Sequence, residues 1–248
     1  LLRQLVADKR SSAVLAGLPL NERGVERGLE CGVEMLCLGA SASDTHSRKN
    51  TGMTTKDATR RIISAAQEAV AAGKKVQVSV QSAFGCGFEG PVPEERVLEM
   101  VGAYLDAGLR NISLADTAGH ACPTQVEQLF AAVLELDPNV ECTCHFHNTY
   151  GLGMANIMTA LRVGVASFET SFAGLGGCPF TKVAAGNVAT EDVVMRLEQM
   201  GCPTGIGLDA LMRAADLARE LTGTAPGGRA SAWIRQDLER RARVVRRP

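Results

Sequence analysis

A phrase repeated along this chain restricts its fold more than anything else in it: an amphipathic helix, a glycine, then a run rich in strand-forming residues. VERGLECG precedes VEMLCLG, SAAQEAVAAG precedes KKVQVSV, MVGAYLDAG precedes LRNISLAD, and IMTALRVG precedes VASFETS. Glycine just past a helix accepts the left-handed conformation that closes a helix C-terminus, so each phrase marks an α-to-β turn. A fifth instance, VMRLEQMG before CPTGIG, leads into a weak strand signal. The runs AVLAG, EMLCLG, VQVSV, NISLA, VECTCHF and SFETSFAG are the expected strands. Strands alternating with helices pair in parallel through right-handed crossovers, as in (β/α)8 barrels or doubly wound sheets. No G-x-G-x-x-G follows the first strand, which counts against a dinucleotide fold and leaves a (β/α)8 TIM barrel as the expectation.

In both architectures ligands bind at the carboxyl edge of the strands. Polar residues gather there: Ser41, Ser43, Asp44, Ser82, Asp116, Thr117, His145 to Asn148, and Ser171. A chain of 248 residues, 46% of them hydrophobic, can bury one large core. A net charge of -1 argues against nucleic acid or an anionic membrane as partner and for a small molecule. No apolar run approaches the roughly 20 residues that span a bilayer, and LLRQLVADKR lacks the order of a signal peptide, so a cytoplasmic protein is expected. The 8 cysteines lack the density of a secreted disulfide scaffold and are expected as thiols. The segment TGTAPGG reads as a linker and the arginine-rich remainder as a helix or tail, which divides the chain into residues 1–222 and 223–248.

The chemistry begins at TCHFHN. Side chains at i and i+2 of a strand face one way, so Thr143, His145 and His147 share one face, and Cys142, Cys144 and Phe146 the other. The two histidines can reach one ion together, or they are two hydrogen-bonding histidines at a strand end; the cysteines cannot join them. Asp116, at the end of NISLAD, can serve as a ligand, a base, or a cap for the following backbone N–H groups. In AGLGGCPFTKVAAGN, glycines around Cys178 let backbone approach a ligand; the thiol is a proton carrier, a nucleophile, or simply packed. Asn187 offers a neutral amide oxygen or a turn. FGCGFEGP reads equally as a substrate-covering loop or an ordinary connection, and His46 and His120 as solvated loop histidines.

HFHNTYG, AGLGGCPF and GNVATED together resemble the 3-hydroxy-3-methylglutaryl-CoA lyase family, one of the metal-dependent barrel lyases grouped with isopropylmalate and homocitrate synthases. SVQSAFGCGFEGPVP and ISLADTAG extend the likeness, which runs from about Ser11 to Leu221. The resemblance implies that His145, His147 and Asn187 bind a divalent cation, Mg or Mn. It makes Cys178, Asp116 and His145 the catalytic candidates, with Cys178 in acid/base work and Asp116 beside the reacting centre. Ser113 and Glu191 match positions that support the site. The implied substrate is 3-hydroxy-3-methylglutaryl-CoA, cleaved to acetyl-CoA and acetoacetate: the ion lowers the pKa of the 3-hydroxyl, and a nearby acid protonates the leaving thioester enolate.

The family's first strand carries an Arg-Asp pair, and its second a Glu, with no counterpart here. This chain opens at a place matching the helix before the third strand, so an incomplete barrel lacking two strands, inactive by itself, is expected. A lyase for another 3-substituted acyl-CoA, a Claisen-type synthase and a non-catalytic barrel fragment are the alternatives. A homodimer is left open.

Overall fold

The computed structural model describes residues 2–176, 186–223 and 227–245. Helix α1 (Leu2–Ala7) precedes strand β1 (Ala16–Gly17), α2 (Glu22–Cys31), β2 (Met35–Ser41), α3 (Asp44–Thr51), α4 (Thr55–Ala71) and β3 (Lys75–Gln81). Then come α5 (Glu94–Asp106), β4 (Asn111–Asp116), α6 (Pro123–Leu136), β5 (Glu141–Phe146), α7 (Gly153–Arg162) and β6 (Ser167–Glu169). A 3-10 turn (Phe172–Gly174), α8 (Thr190–Gln199), α9 (Leu208–Thr222) and α10 (Ser231–Val245) complete the order. The six strands form one sheet in sequence order, β1 to β6, and every neighbouring pair is parallel. This is the α/β alternation that the repeated phrase predicts.

Local sequence explains the punctuation. The glycines closing the five phrases, Gly32, Gly73, Gly108, Gly164 and Gly201, all have positive φ. Gly32 shows why: at φ 79° its N–H turns back to the carbonyls of Gly28 and Leu29 and ends α2. Helix α5 starts after Pro93 with Glu94 and Glu95 in its first turn, and buries Val97, Met100, Val101 and Tyr104. Helix α6 carries Pro at its start and a capping box between Cys122 and Gln125. The fifth phrase differs from the others: α8 gives way to irregular chain leading to α9, and CPTGIG forms no strand. It carries two glycines and a proline in six residues, which denies a strand its side chains and a ladder donor.

Strand register sorts the sheet into two faces, because paired residues of parallel strands project to one side. Leu36, Leu38, Val78, Val80, Ile112, Leu114, Cys144 and Phe146 are all at most 1% exposed, and pack with helix residues such as Ile62, Val101 and Phe130 into one core. The other face is small and polar. Cys37 pairs with Gln77, Gly39 with Ser79, Ser79 with Ser113, Ser113 with Thr143, and His145 with Glu169. The sheet curls so that Glu169 on β6 acts on Cys37 on β2; burial and then this charge push the Cys37 thiol up to about 11. A polar concave face is what a cavity needs, whereas the bulky aliphatic layers of a filled barrel would close it.

The carboxyl-terminal helix is docked. Helix α10 packs on α8 and α9, with Ile234 buried and Trp233 half-exposed. No helix of the described residues is long and apolar enough to cross a membrane.

Candidate active site

Strand β5 delivers His145 near its end, on the concave face opposite Ala115 and Glu169. The Nδ1 atom of His145 lies 2.8 Å from Oε2 of Glu169. That contact engages Nδ1 and leaves Nε2 as the ring nitrogen not held by Glu169. His147 follows just beyond the strand, its ring 5.3 Å from that of His145, centroid to centroid, as the i, i+2 spacing predicts. Cys142 and Cys144 are buried on the helix side, where loss of hydration pushes the Cys142 thiol up to about 11 and that of Cys144 higher still.

A short return segment brings Asn187 to the histidines. The N–H of Asn148 donates to Gly186 O at 3.1 Å and the N–H of Val188 to Phe146 O at 3.2 Å, so Asn187 sits opposite His147 in an antiparallel bridge. Its side-chain nitrogen donates to the carbonyl of Leu175 at 2.9 Å. A carbonyl can only accept, so the amide oxygen is turned away from it, and Oδ1 of Asn187 is buried without a hydrogen-bond partner. Glycines make this fit: a Cβ on Gly186 would stand 1.7 Å from Gly174 O, and one on Gly176 2.3 Å from the Asn187 nitrogen.

Asp116 is fully buried at the end of β4, and both its oxygens are engaged by backbone: His120 N donates at 2.7 Å and Ala121 N at 3.0 Å. Burial raises its pKa, and those N–H groups oppose the rise. Its register partner is Phe146, on the helix side, whereas its neighbour Ala115 pairs with His145. Its carboxylate therefore shapes the loop that carries His120, one of the alternatives its position allowed. Ser113 lies on the concave face, fully buried, with an unpartnered hydroxyl. His120 lies in a loop at the carboxyl edge, its ring 5.7 Å from Tyr150. His46 departs from expectation: it belongs to α3 and is 2% exposed, because Ser43 caps that helix and turns it onto the core. The FGCGFEGP segment is pinned by reciprocal 2.8 Å backbone bonds between Cys86 and Gly90. Cys178 lies outside the described residues.

Glu191 and Asp192 join the site to the chain's far end. Glu191 is fully buried; it accepts from Ala173 N at 3.1 Å and from Gly228 N at 2.8 Å. Asp192 accepts from the N–H groups of Arg229 and Ala230, at 2.9 and 2.8 Å. Two adjacent acids thus hold both the turn before Leu175 and the start of α10. Sequence reasoning missed this docking, and it missed Glu169. The available signal for Glu169 was a lone acid in a short strand, but its meaning depends on the β5–β6 register.

Among the described residues no cluster of three or more His, Cys, Asp and Glu side chains is placed to hold an ion. The assembled donors are two imidazoles and an amide oxygen.

The HMGL-like family model matches residues 1–218. A hydroxymethylglutaryl-CoA lyase of Bacillus subtilis is 38% identical over 216 residues, 87% of this chain and 72% of that protein. An (R)-citramalyl-CoA lyase of Chloroflexus aurantiacus is 40% identical over 196 residues, 79% of this chain but 62% of that one. The solved HMG-CoA lyase from Acinetobacter baumannii, in complex with coenzyme A and 3-methylmalate, superposes with a TM-score of 0.85 at 36% identity, covering 93% of this chain and 76% of its own. By sequence over most of its length, and by the fold that length adopts, this chain belongs to the HMGL-like family.

Proposed function

We propose that this chain carries the metal-binding part of a carbon–carbon lyase acting on a 3-hydroxy-3-methylglutaryl thioester, its six parallel strands belonging to a (β/α)8 barrel. The observation that carries the reading is the buried, unpartnered Oδ1 of Asn187, a residue bridged to His147 beside the strand end that bears His145. A buried acceptor without a donor is costly unless something electropositive occupies its far side. Two imidazoles and an amide oxygen can hold a divalent cation, the family resemblance implies Mg or Mn, and an ion with only these three protein donors keeps open positions for a chelating substrate. When bound, such an ion acts as a Lewis acid on the hydroxyl and carbonyl oxygens of the thioester.

The chain's own residues supply the rest. Glu169 contacts His145 Nδ1, Leu175 O accepts from the side-chain nitrogen of Asn187, and Asp116 accepts from the backbone of the loop that carries His120. The reaction breaks the C2–C3 bond: the 3-hydroxyl loses its proton and becomes the ketone of acetoacetate, while C2 leaves as the thioester enolate and takes up a proton to give acetyl-CoA. We assign that protonation to Cys178 from the family resemblance, a thiol being an acid suited to proton delivery near neutral pH. A coenzyme A thioester fits the relatives, one of which was solved with coenzyme A.

A second substrate has its own support, since a citramalyl-CoA lyase is as similar as the hydroxymethylglutaryl-CoA lyases. Equilibrium binding of the two thioesters to the purified chain, with and without Mn, separates the readings. Mn-dependent binding that favours the 3-hydroxy-3-methylglutaryl thioester is expected. Binding indifferent to the metal would sink the proposal, and a preference for the citramalyl thioester would transfer it to that substrate.

A further inference from the structure

We propose that Glu169 is a positioning residue for the ion site: it fixes His145 as the Nδ1–H tautomer, so that Nε2 is the nitrogen offered to the metal. The proposal rests on the metal reading above and goes beyond it, because Glu169 belongs to none of the motifs that suggested that reading.

His145 and Glu169 are paired residues of neighbouring parallel strands and so project to the same side of the sheet. Their side chains meet at 2.8 Å between Nδ1 and Oε2. A carboxylate can only accept, so the proton lies on Nδ1. In a neutral imidazole the other nitrogen is then the lone-pair donor. His145 is thereby held with one ring edge against Glu169 on β6, while its ring lies 5.3 Å from that of His147, the residue bridged to Asn187. Metal-bound histidines in general carry such an outer partner, which locks the ring, selects the tautomer and raises the basicity of the ligating nitrogen.

The backbone that carries Glu169 is also tied to the backbone that carries Asn187. Glu169 lies on the three-residue strand β6, two residues before Ser171, whose N–H donates to Val188 O and whose carbonyl accepts from Thr190 N. The stretch that carries Glu169 is thus stitched to the stretch that carries Asn187. Both the donor ring and the third ligand are registered on one piece of backbone.

Two measurements on the full 248-residue chain test the proposal. Long-range 1H–15N spectra of the metal-free protein, at a pH where histidine is neutral, read the tautomer directly. The Nδ1–H form of His145 is expected in the unaltered chain, and predominance of the Nε2–H form overturns the proposal with no variant needed. Mn titration then compares Glu169→Ala, Glu169→Gln and His145→Ala. Glu169→Ala is expected to weaken Mn binding about 10- to 100-fold. Glu169→Gln, whose amide oxygen still accepts from Nδ1, should restore the tautomer and most of the affinity. Equal losses in the Ala and Gln variants would mean that the charge acts through space, and would overturn the positioning role. Loss in His145→Ala without loss in Glu169→Ala overturns it too, leaving the metal reading intact. No effect of His145→Ala on Mn affinity would instead remove the metal reading itself.

Discussion

Two buried side chains with opposite accounts of their polar atoms frame the site. Asn187 satisfies its nitrogen on Leu175 O and leaves its oxygen unpartnered, whereas Asp116 engages both oxygens on the backbone N–H groups of His120 and Ala121. The first arrangement suits a ligand and the second a structural clamp. Asp116 also titrates. Burial raises its folded-state pKa above the unfolded value, so the folded protein holds that proton more tightly. Its contribution to stability is therefore fully present below the ordinary carboxylate pKa, and is lost as pH rises through the raised value. Asp116→Asn removes the titration and leaves one backbone N–H facing an amide NH2, at a cost of about 1–3 kcal/mol. Denaturant unfolding over a pH series should show that penalty largest in acid and shrinking as pH rises; a penalty that grows with pH would contradict the assignment.

At the scale of elements, the site depends on how two chain segments cross. The turn at Phe172–Gly174 and the return through Gly186 and Asn187 approach so closely that neither Gly176 nor Gly186 has room for a side chain. Gly186→Ala must displace backbone, since its Cβ would fall 1.7 Å from Gly174 O. Because the helix-packed core lies on the other side of the sheet, the displacement should reach Asn187 before it reaches the core. The expected result is a loss of Mn affinity of about tenfold or more, comparable to losing an outer-shell partner, with the cooperative unfolding midpoint close to that of the unaltered chain. Unchanged Mn binding in this variant would show that the crossing does not position the ligand. The site-facing turn and α10 also share Glu191, which receives N–H groups from Ala173 and Gly228. The far end of the chain is thereby part of the same framework.

For the molecule as a whole, what the sequence made legible is what short-range physics controls. The helix–glycine–strand phrase announced each parallel crossover because a helix stop, a left-handed glycine and a strand are all local events. The i, i+2 spacing placed His145 and His147 together and turned Cys144 into the core for the same reason. What stayed hidden depended on pairing between distant segments. Glu169 acquires meaning only through its register with His145, and the Glu191–Asp192 clamp only once α10 folds back over 30 residues later in the chain. His46 was misread because a polar stretch, DTHSRKNT, looks like loop until Ser43 caps it as a helix against the core. The strand pattern set out a polar concave face, and the unpartnered amide oxygen of Asn187 is where the proposed ion would bind. The most direct test is the anomalous difference map of a crystal of this chain grown with Mn. The account predicts one strong peak within bonding distance of His145 Nε2, a ring nitrogen of His147 and Asn187 Oδ1, with Glu169 still on Nδ1; a map without a peak there, or with the ion bound elsewhere, would contradict it.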